Sequence, residues 1–212
     1  MTTLVNLGAL DAAPIIHDPF DHLMTSEAIS AEDSARIIAD YPEVPTAGNY
    51  RPEEVTYGPA FGDLMTELRS QELADRMGAK FGVRLDATTQ TITIRDRSEL
   101  SDGDIHLDHW TKVVTALLYF NPEWQHEGGR LRLLRSKDDI EDYATEVLPT
   151  CGTLVAFKRC GRSFHGHRRH VGTRRMVQIS WNRSGVVAKF AQTASRLSTR
   201  TMKRLLRIFA KR

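Results

Sequence analysis

Thr88-Thr89-Gln90-Thr91-Ile92-Thr93-Ile94-Arg95 is the stretch at which the chain changes its period. β-Branched residues crowd it and apolar positions alternate, the pattern of a half-buried strand. Upstream the period is helical. Thr25 or Ser26 can cap a helix reaching about Tyr41, with Ala28, Ile29, Ala35, Ile37 and Ile38 as apolar positions, ended by Pro42 and Pro45. Residues 46–59 read as loop, and a second helix is expected over about Phe61–Phe81. Downstream, strand candidates follow at Val113–Phe120, Arg130–Leu134 after Gly128-Gly129, Val147-Leu148, Thr153–Phe157 and Met176–Trp181. Many short strands separated by turn signals point to a β-sandwich or barrel.

The chain has 212 residues, 41% hydrophobic and 26% charged, which suits one domain with one sizeable core. No apolar run approaches a membrane span. Met1–Ala13 carries Asp11 and no Lys or Arg, so a cytoplasmic setting is expected. Cys151 and Cys160 are expected to be reduced thiols, and two cysteines alone cannot build a structural zinc site. Any metal must therefore rely on His and carboxylate. The net charge of +2 hides an asymmetry, because Ser184–Arg212 holds eight cations and no acid while the rest is acidic.

His106-Leu107-Asp108 is the candidate metal motif. On a strand, residues two apart share a face, so one imidazole and one carboxylate could reach one ion. A second, distant imidazole would complete a triad that leaves half of an iron's coordination sphere open. Alone, His-x-Asp is more often a polar turn. Phe164-His165-Gly166-His167 lies beyond a Gly-Thr-Leu-Val-Ala-Phe strand, and His167 and His170 compete with His165 for the distal place. Arg175, ten residues after His165, has the bidentate fork suited to a carboxylate. Arg174 competes with it, and strand alternation lets only one of the two point inward.

The ordered set His106-Leu107-Asp108, Thr115–Asn121, Gly128-Gly129-Arg130-Leu131, Pro149 with Gly152–Phe157, His165, and Gly172–Trp181 resembles the prolyl-4-hydroxylase-like branch of the Fe(II)/2-oxoglutarate oxygenases. The resemblance covers roughly Thr91–Trp181. It implies an α+β protein: a double-stranded β-helix (jelly-roll) core over 86–185 with N-terminal helices within 1–85 packed on it. Apart from the resemblance, a returning helical period predicts a basic amphipathic C-terminal helix over 186–212. The resemblance implies that 1–185 is a single oxygenase domain. It implies Fe(II) held by His106, Asp108 and His165, 2-oxoglutarate held by Arg175, Tyr119 and Thr115, and O2 as oxidant. The implied reaction hydroxylates an unactivated C–H bond and releases succinate and CO2. An aspartate at position 108 favours oxygenation, since halogenating relatives have a small residue there.

Arg95, His109, Trp110 and His167 are candidates for substrate contact or for supporting the metal ligands. The substrate class stays open among small molecules, lipids and glycans. The stretch 186–212 suggests peripheral contact with an anionic membrane, at its inner face, or simple packing on the core. Nucleic acid is disfavoured, because no aromatic-interleaved basic motif accompanies the tail. The competing functional reading is a non-catalytic, cupin-like jelly-roll module that binds a metal or ligand.

Overall fold

Ser30 and Ser70 each begin a helix by accepting a backbone N–H three residues on, from Asp33 and Leu73. Such caps satisfy donors that the first helical turn leaves orphaned. In the computed structural model, which describes residues 3–183, they start α2 (Ala31–Ala39) and α4 (Gln71–Phe81). α1 (Leu7–Ala12) is capped by Asn6, and α3 (Pro59–Leu68) starts on a proline. The expected single helix over 61–81 is thus two. Ser70 stops one and caps the next, and α4 ends on Gly82 in the left-handed region at φ 62°. The helix expected from Thr25 or Ser26 begins at Ala31 instead, because the chain before it is spent in a short strand.

The strands are β1 (His22–Thr25), β2 (Gln90–Ser98), β3 (Lys112–Tyr119), β4 (Leu131–Leu134), β5 (Tyr143–Val147), β6 (Leu154–Lys158), β7 (His165–Gly166) and β8 (Gly172–Asn182). They form a five-stranded sheet in the order β1-β6-β3-β8-β2 and a three-stranded sheet in the order β5-β4-β7, with every pairing antiparallel. The order skips along the chain, as the crossing connections of a jelly roll require. The fold is mixed helix and antiparallel sheet.

Register decides what each face of the larger sheet carries. Thr115 pairs with Ser180, Leu117 with Gln178 and Tyr119 with Met176. Leu117, Tyr119, Met176, Val155 and Phe157 pack with Leu131, Leu133 and Val147 of the smaller sheet, forming the inner core. The alternate residues Val114, Ala116, Leu118, Val177, Ile179 and Trp181 pack with Phe61, Leu64, Leu68 and Met77 of the helices. The helices therefore cover one face of the larger sheet, and the inner face is left for chemistry. Both cysteines are free. The expected basic helix over 186–212 lies outside the described residues.

Candidate metal centre

The backbone brings His106 and His165 together before any metal does. His106 N–H donates to the His165 carbonyl at 3.0 Å, and His165 N–H returns the bond to His106 at 3.1 Å. This isolated antiparallel bridge leaves the two ring centroids 4.3 Å apart. Gly103 makes the close approach possible. Its φ is 102°, and a Cβ there would strike the carbonyl and ring of His167, whose N–H bonds to the Gly103 carbonyl. Residues 107–109 are not strand, so the His-x-Asp pair is presented by a bridge and a loop rather than by the expected strand.

Ligand atoms of His106, Asp108 and His165 all lie within 4.8 Å of one another. Both imidazoles are oriented alike. His106 Nδ1 meets the Asp104 carbonyl at 2.8 Å, and His165 Nδ1 meets the Ser163 carbonyl at 3.0 Å. A carbonyl only accepts, so Nδ1 carries the proton and each Nε2 keeps its lone pair free for a cation. Burial, with the neighbouring His106, pushes the His165 pKa down to about 4, so its ring is neutral. Burial pulls the Asp108 carboxyl up, but Lys112, His165 and the Thr115 hydroxyl more than reverse this and bring it down to about 2. Two imidazoles and one carboxylate fit a divalent metal that keeps open positions. His106 is exposed, which leaves the site reachable from solvent.

The other expected residues divide. Tyr119 is fully buried on the inner face, where burial raises its pKa. Beside it stands Arg174, not Arg175. Arg174 is 3% exposed, its guanidinium lies over the Tyr119 ring, and its NH2 group reaches the Tyr119 hydroxyl at 3.4 Å. Its Nε donates to the Gly129 carbonyl at 2.7 Å. Burial lowers its pKa, and the Tyr119 and Asp102 charges oppose that shift. Arg175 turns to the helix side, where it pairs with Asp96 at 3.0 Å and covers the Tyr41 ring. The cause is alternation along β8: Arg174 shares the parity of Met176 on the inner face, and Arg175 that of Val177, Ile179 and Trp181 on the helix side. A ten-residue interval counted from His165 does not carry that parity.

Thr115 is also placed differently from expectation. Its hydroxyl donates to Asp108 Oδ2 at 2.6 Å, so it braces the carboxylate of the metal triad. His167 lies on the inner side, its Nδ1 held by the Arg168 carbonyl at 2.8 Å. Burial, with Arg174 nearby, lowers its pKa to about 3. Arg95 faces inward and pairs with Asp102 at 3.1 Å. His109 bonds the Thr111 hydroxyl at 2.9 Å, and Trp110 beside it is 47% exposed. Lys112, which no motif singles out, also reaches the centre: its Nζ lies 2.5 Å from Asp108 Oδ1. Plain alternation would put residues 112 and 115 on opposite faces. A bulge between Lys112 and Val114 turns both to the same side.

A larger and a smaller antiparallel sheet, with a His-Asp-His centre between them, define the class of 2-oxoglutarate-dependent iron oxygenases. Residues 95–183 match the model of the 2OG-Fe(II) oxygenase superfamily. With the His-Asp-His group, that match supports a dioxygenase with the cofactor set of the superfamily: Fe(II), 2-oxoglutarate and O2. No curated protein sequence matches the chain. Among solved structures, the chain is similar to a prolyl-4-hydroxylase of Pseudomonas putida, with 18% identity, a TM-score of 0.57, and coverage of 84% of this chain and 97% of that one. A prolyl 4-hydroxylase of Phytophthora capsici gives 15% identity, a TM-score of 0.57, and coverage of 86% and 64%. A 2OG-Fe(II) oxygenase family oxidoreductase of Burkholderia pseudomallei gives 16% identity, a TM-score of 0.52, and coverage of 85% and 91%. At these identities the likeness is one of fold.

Proposed function

We propose that His106, Asp108 and His165 hold Fe(II), that Arg174 and Tyr119 hold the far carboxylate of 2-oxoglutarate, and that the protein hydroxylates an unactivated C–H bond of a small-molecule or peptide substrate. The observation that carries this reading is the convergence of three donors with both imidazoles fixed as Nδ1–H tautomers. Bound together, iron and cosubstrate supply the oxidising power, with one O2 atom going to the C–H bond and the other to succinate as CO2 leaves. The chain's own share is placement. The Asp104 and Ser163 carbonyls hold the two rings in place, and Thr115 and Lys112 orient the Asp108 carboxylate. Arg174 offers a fork whose two terminal nitrogens lack a carboxylate among the described residues, at the end of the inner face marked by Tyr119. The apolar inner core around Leu133, Val155 and Phe157 limits water there.

Asp108→Ala tests the reading directly. Fe(II) binding measured anaerobically should fall sharply, and succinate release should cease. Unchanged succinate production would remove the proposed centre. We read residues 3–183 as one oxygenase domain. The eight cations of 184–212 support peripheral contact with an anionic surface. Equal co-sedimentation with phosphatidylserine vesicles, with and without that stretch, would refute the contact.

A further inference from the structure

We propose that Lys112 and Arg159 form a docking site, beside the metal centre, for an anionic oxygen group of the primary substrate, a carboxylate or a phosphate monoester. This rests on the assignment of the triad above and adds a substrate class to it.

Cations near the site are almost all neutralised by the protein itself. Arg95 pairs with Asp102, Arg169 with Asp104, and Arg132 and Arg168 with Glu141. The exceptions are Arg174 at the Tyr119 end, Arg159, and Lys112, whose partner is itself a proposed metal ligand. The only carboxylate that Lys112 meets among the described residues is Asp108, at 2.5 Å. Arg159 is fixed by its backbone, through a 2.9 Å bond from its N–H to the Val113 carbonyl, and its Nε reaches the Asp108 carbonyl at 3.4 Å. It has no carboxylate partner among the described residues. Two cations thus flank one residue, and that residue is the proposed anionic ligand of the metal.

Charge accounting makes this arrangement informative. Asp108 neutralises Lys112 only while its own charge is free. When that charge is shared with a divalent ion, two half-buried cations stand next to a third positive centre. Partly buried charge without a counter-charge is costly, so an incoming anion is favoured there. Arg174 cannot serve this anion. It sits at the Tyr119 end of β3, whereas Lys112 sits at the Thr115 end, and four strand residues span roughly 13 Å. Lys112 is on the inner face because of the bulge between Lys112 and Val114. With its side chain 18% exposed, it is held in the site yet open to solvent. A reacting C–H bond near the metal would then belong to a molecule whose anionic group lies only a few atoms away. That describes a small acid or phosphorylated metabolite better than the interior of a neutral peptide.

The test uses the full-length protein loaded with redox-inert Zn(II) and saturated with 2-oxoglutarate, so that the Arg174 end is filled. Binding of butyrate, butyl phosphate, butylammonium and butanol is followed by ligand-observed NMR. The oxyanions should bind, and the amine and alcohol should not. Butyrate against butyl phosphate tells which oxyanion is preferred. Lys112→Gln and Arg159→Gln should each weaken oxyanion binding by about tenfold or more, the loss expected for one charge-assisted hydrogen bond. Lys112→Arg should restore most of it. A separate titration should show 2-oxoglutarate affinity unchanged in Arg159→Gln, which loses only a contact to the Asp108 backbone carbonyl. Equal oxyanion binding in the wild type and the glutamine variants would overturn the proposal. So would a parallel loss of 2-oxoglutarate affinity in Arg159→Gln, which would assign this cationic group to the cosubstrate. Failure of the wild type to bind 2-oxoglutarate would instead strike the cosubstrate assignment, and it is read in that separate titration.

Discussion

Replacing Arg174 by methionine separates recognition of the cosubstrate from folding. Methionine fills a similar slender volume but removes the buried guanidinium. In the wild type that group lies over Tyr119 and meets the Gly129 carbonyl, with no carboxylate partner among the described residues. A bound dicarboxylate would gain about two charge-assisted hydrogen bonds there, each worth about 1.5–3 kcal/mol. Allowing for non-additivity, 2-oxoglutarate affinity should fall by about 100-fold, or ~3 kcal/mol. Stability of the ligand-free protein should move much less, by about 1 kcal/mol or under, because the orphaned Gly129 carbonyl is offset by relief of an unpaired buried charge. Calorimetric titration of 2-oxoglutarate into Zn(II)-loaded protein, with urea unfolding of the same samples, reads both quantities. Arg175→Gln is the paired control. It should leave 2-oxoglutarate affinity intact and cost stability by breaking the ion pair to Asp96. If Arg175→Gln loses the cosubstrate and Arg174→Met keeps it, the assignment of faces on β8 is wrong.

Thr115→Val removes the 2.6 Å bond to Asp108 without changing side-chain shape, and metal affinity should fall by roughly tenfold in a competitive chelator titration. Metal-free protein should lose stability as pH falls from about 6.5 to about 4. His165 and His167 are depressed from 6.5 to about 4 and about 3, so the unfolded chain binds the extra protons first, and the loss by urea unfolding is at least the roughly 3 kcal/mol that His165 alone contributes. Stability that stays flat across that window would mean His165 is not buried as a neutral ring. Gly103→Ala forces a side chain into the His167 backbone at positive φ, and should cost about 1–3 kcal/mol together with measurable metal affinity.

The change of period at Thr88–Arg95 was enough to foresee the switch from helices to sheets, and β2, β3, β6 and β8 fall close to their expected spans. Burial alternation along a strand is a local signal, so it survives in one chain read alone. The break between α3 and α4 was missed because Leu64, Leu68, Leu73 and Met77 keep a helical spacing across it, and only the cap on Ser70 reveals the stop. At the site, His106, Asp108 and His165 were legible through the resemblance rather than through their own chemistry. Arg174 and Lys112 were not legible. For Lys112 an irregularity in pairing reverses the parity that sequence spacing assumes, whereas for Arg174 the alternation is regular and the partner strand decides which parity faces inward. Thr115 was read toward the cosubstrate because strand geometry gives its face but not the height of Asp108 above it.

The paired backbone bonds between His106 and His165 mean that folding, not the metal, closes the chain between two ligands. Closing a loop on the order of 60 residues costs roughly 4 kcal/mol of chain entropy. In a zinc finger the ion supplies that free energy, so chelation unfolds the domain. Here the sheets have already met it. The centre should behave as a socket rather than a rivet. Chelators should strip it without unfolding the protein, different divalent ions should exchange through it, and the empty protein should remain a competent recipient for iron.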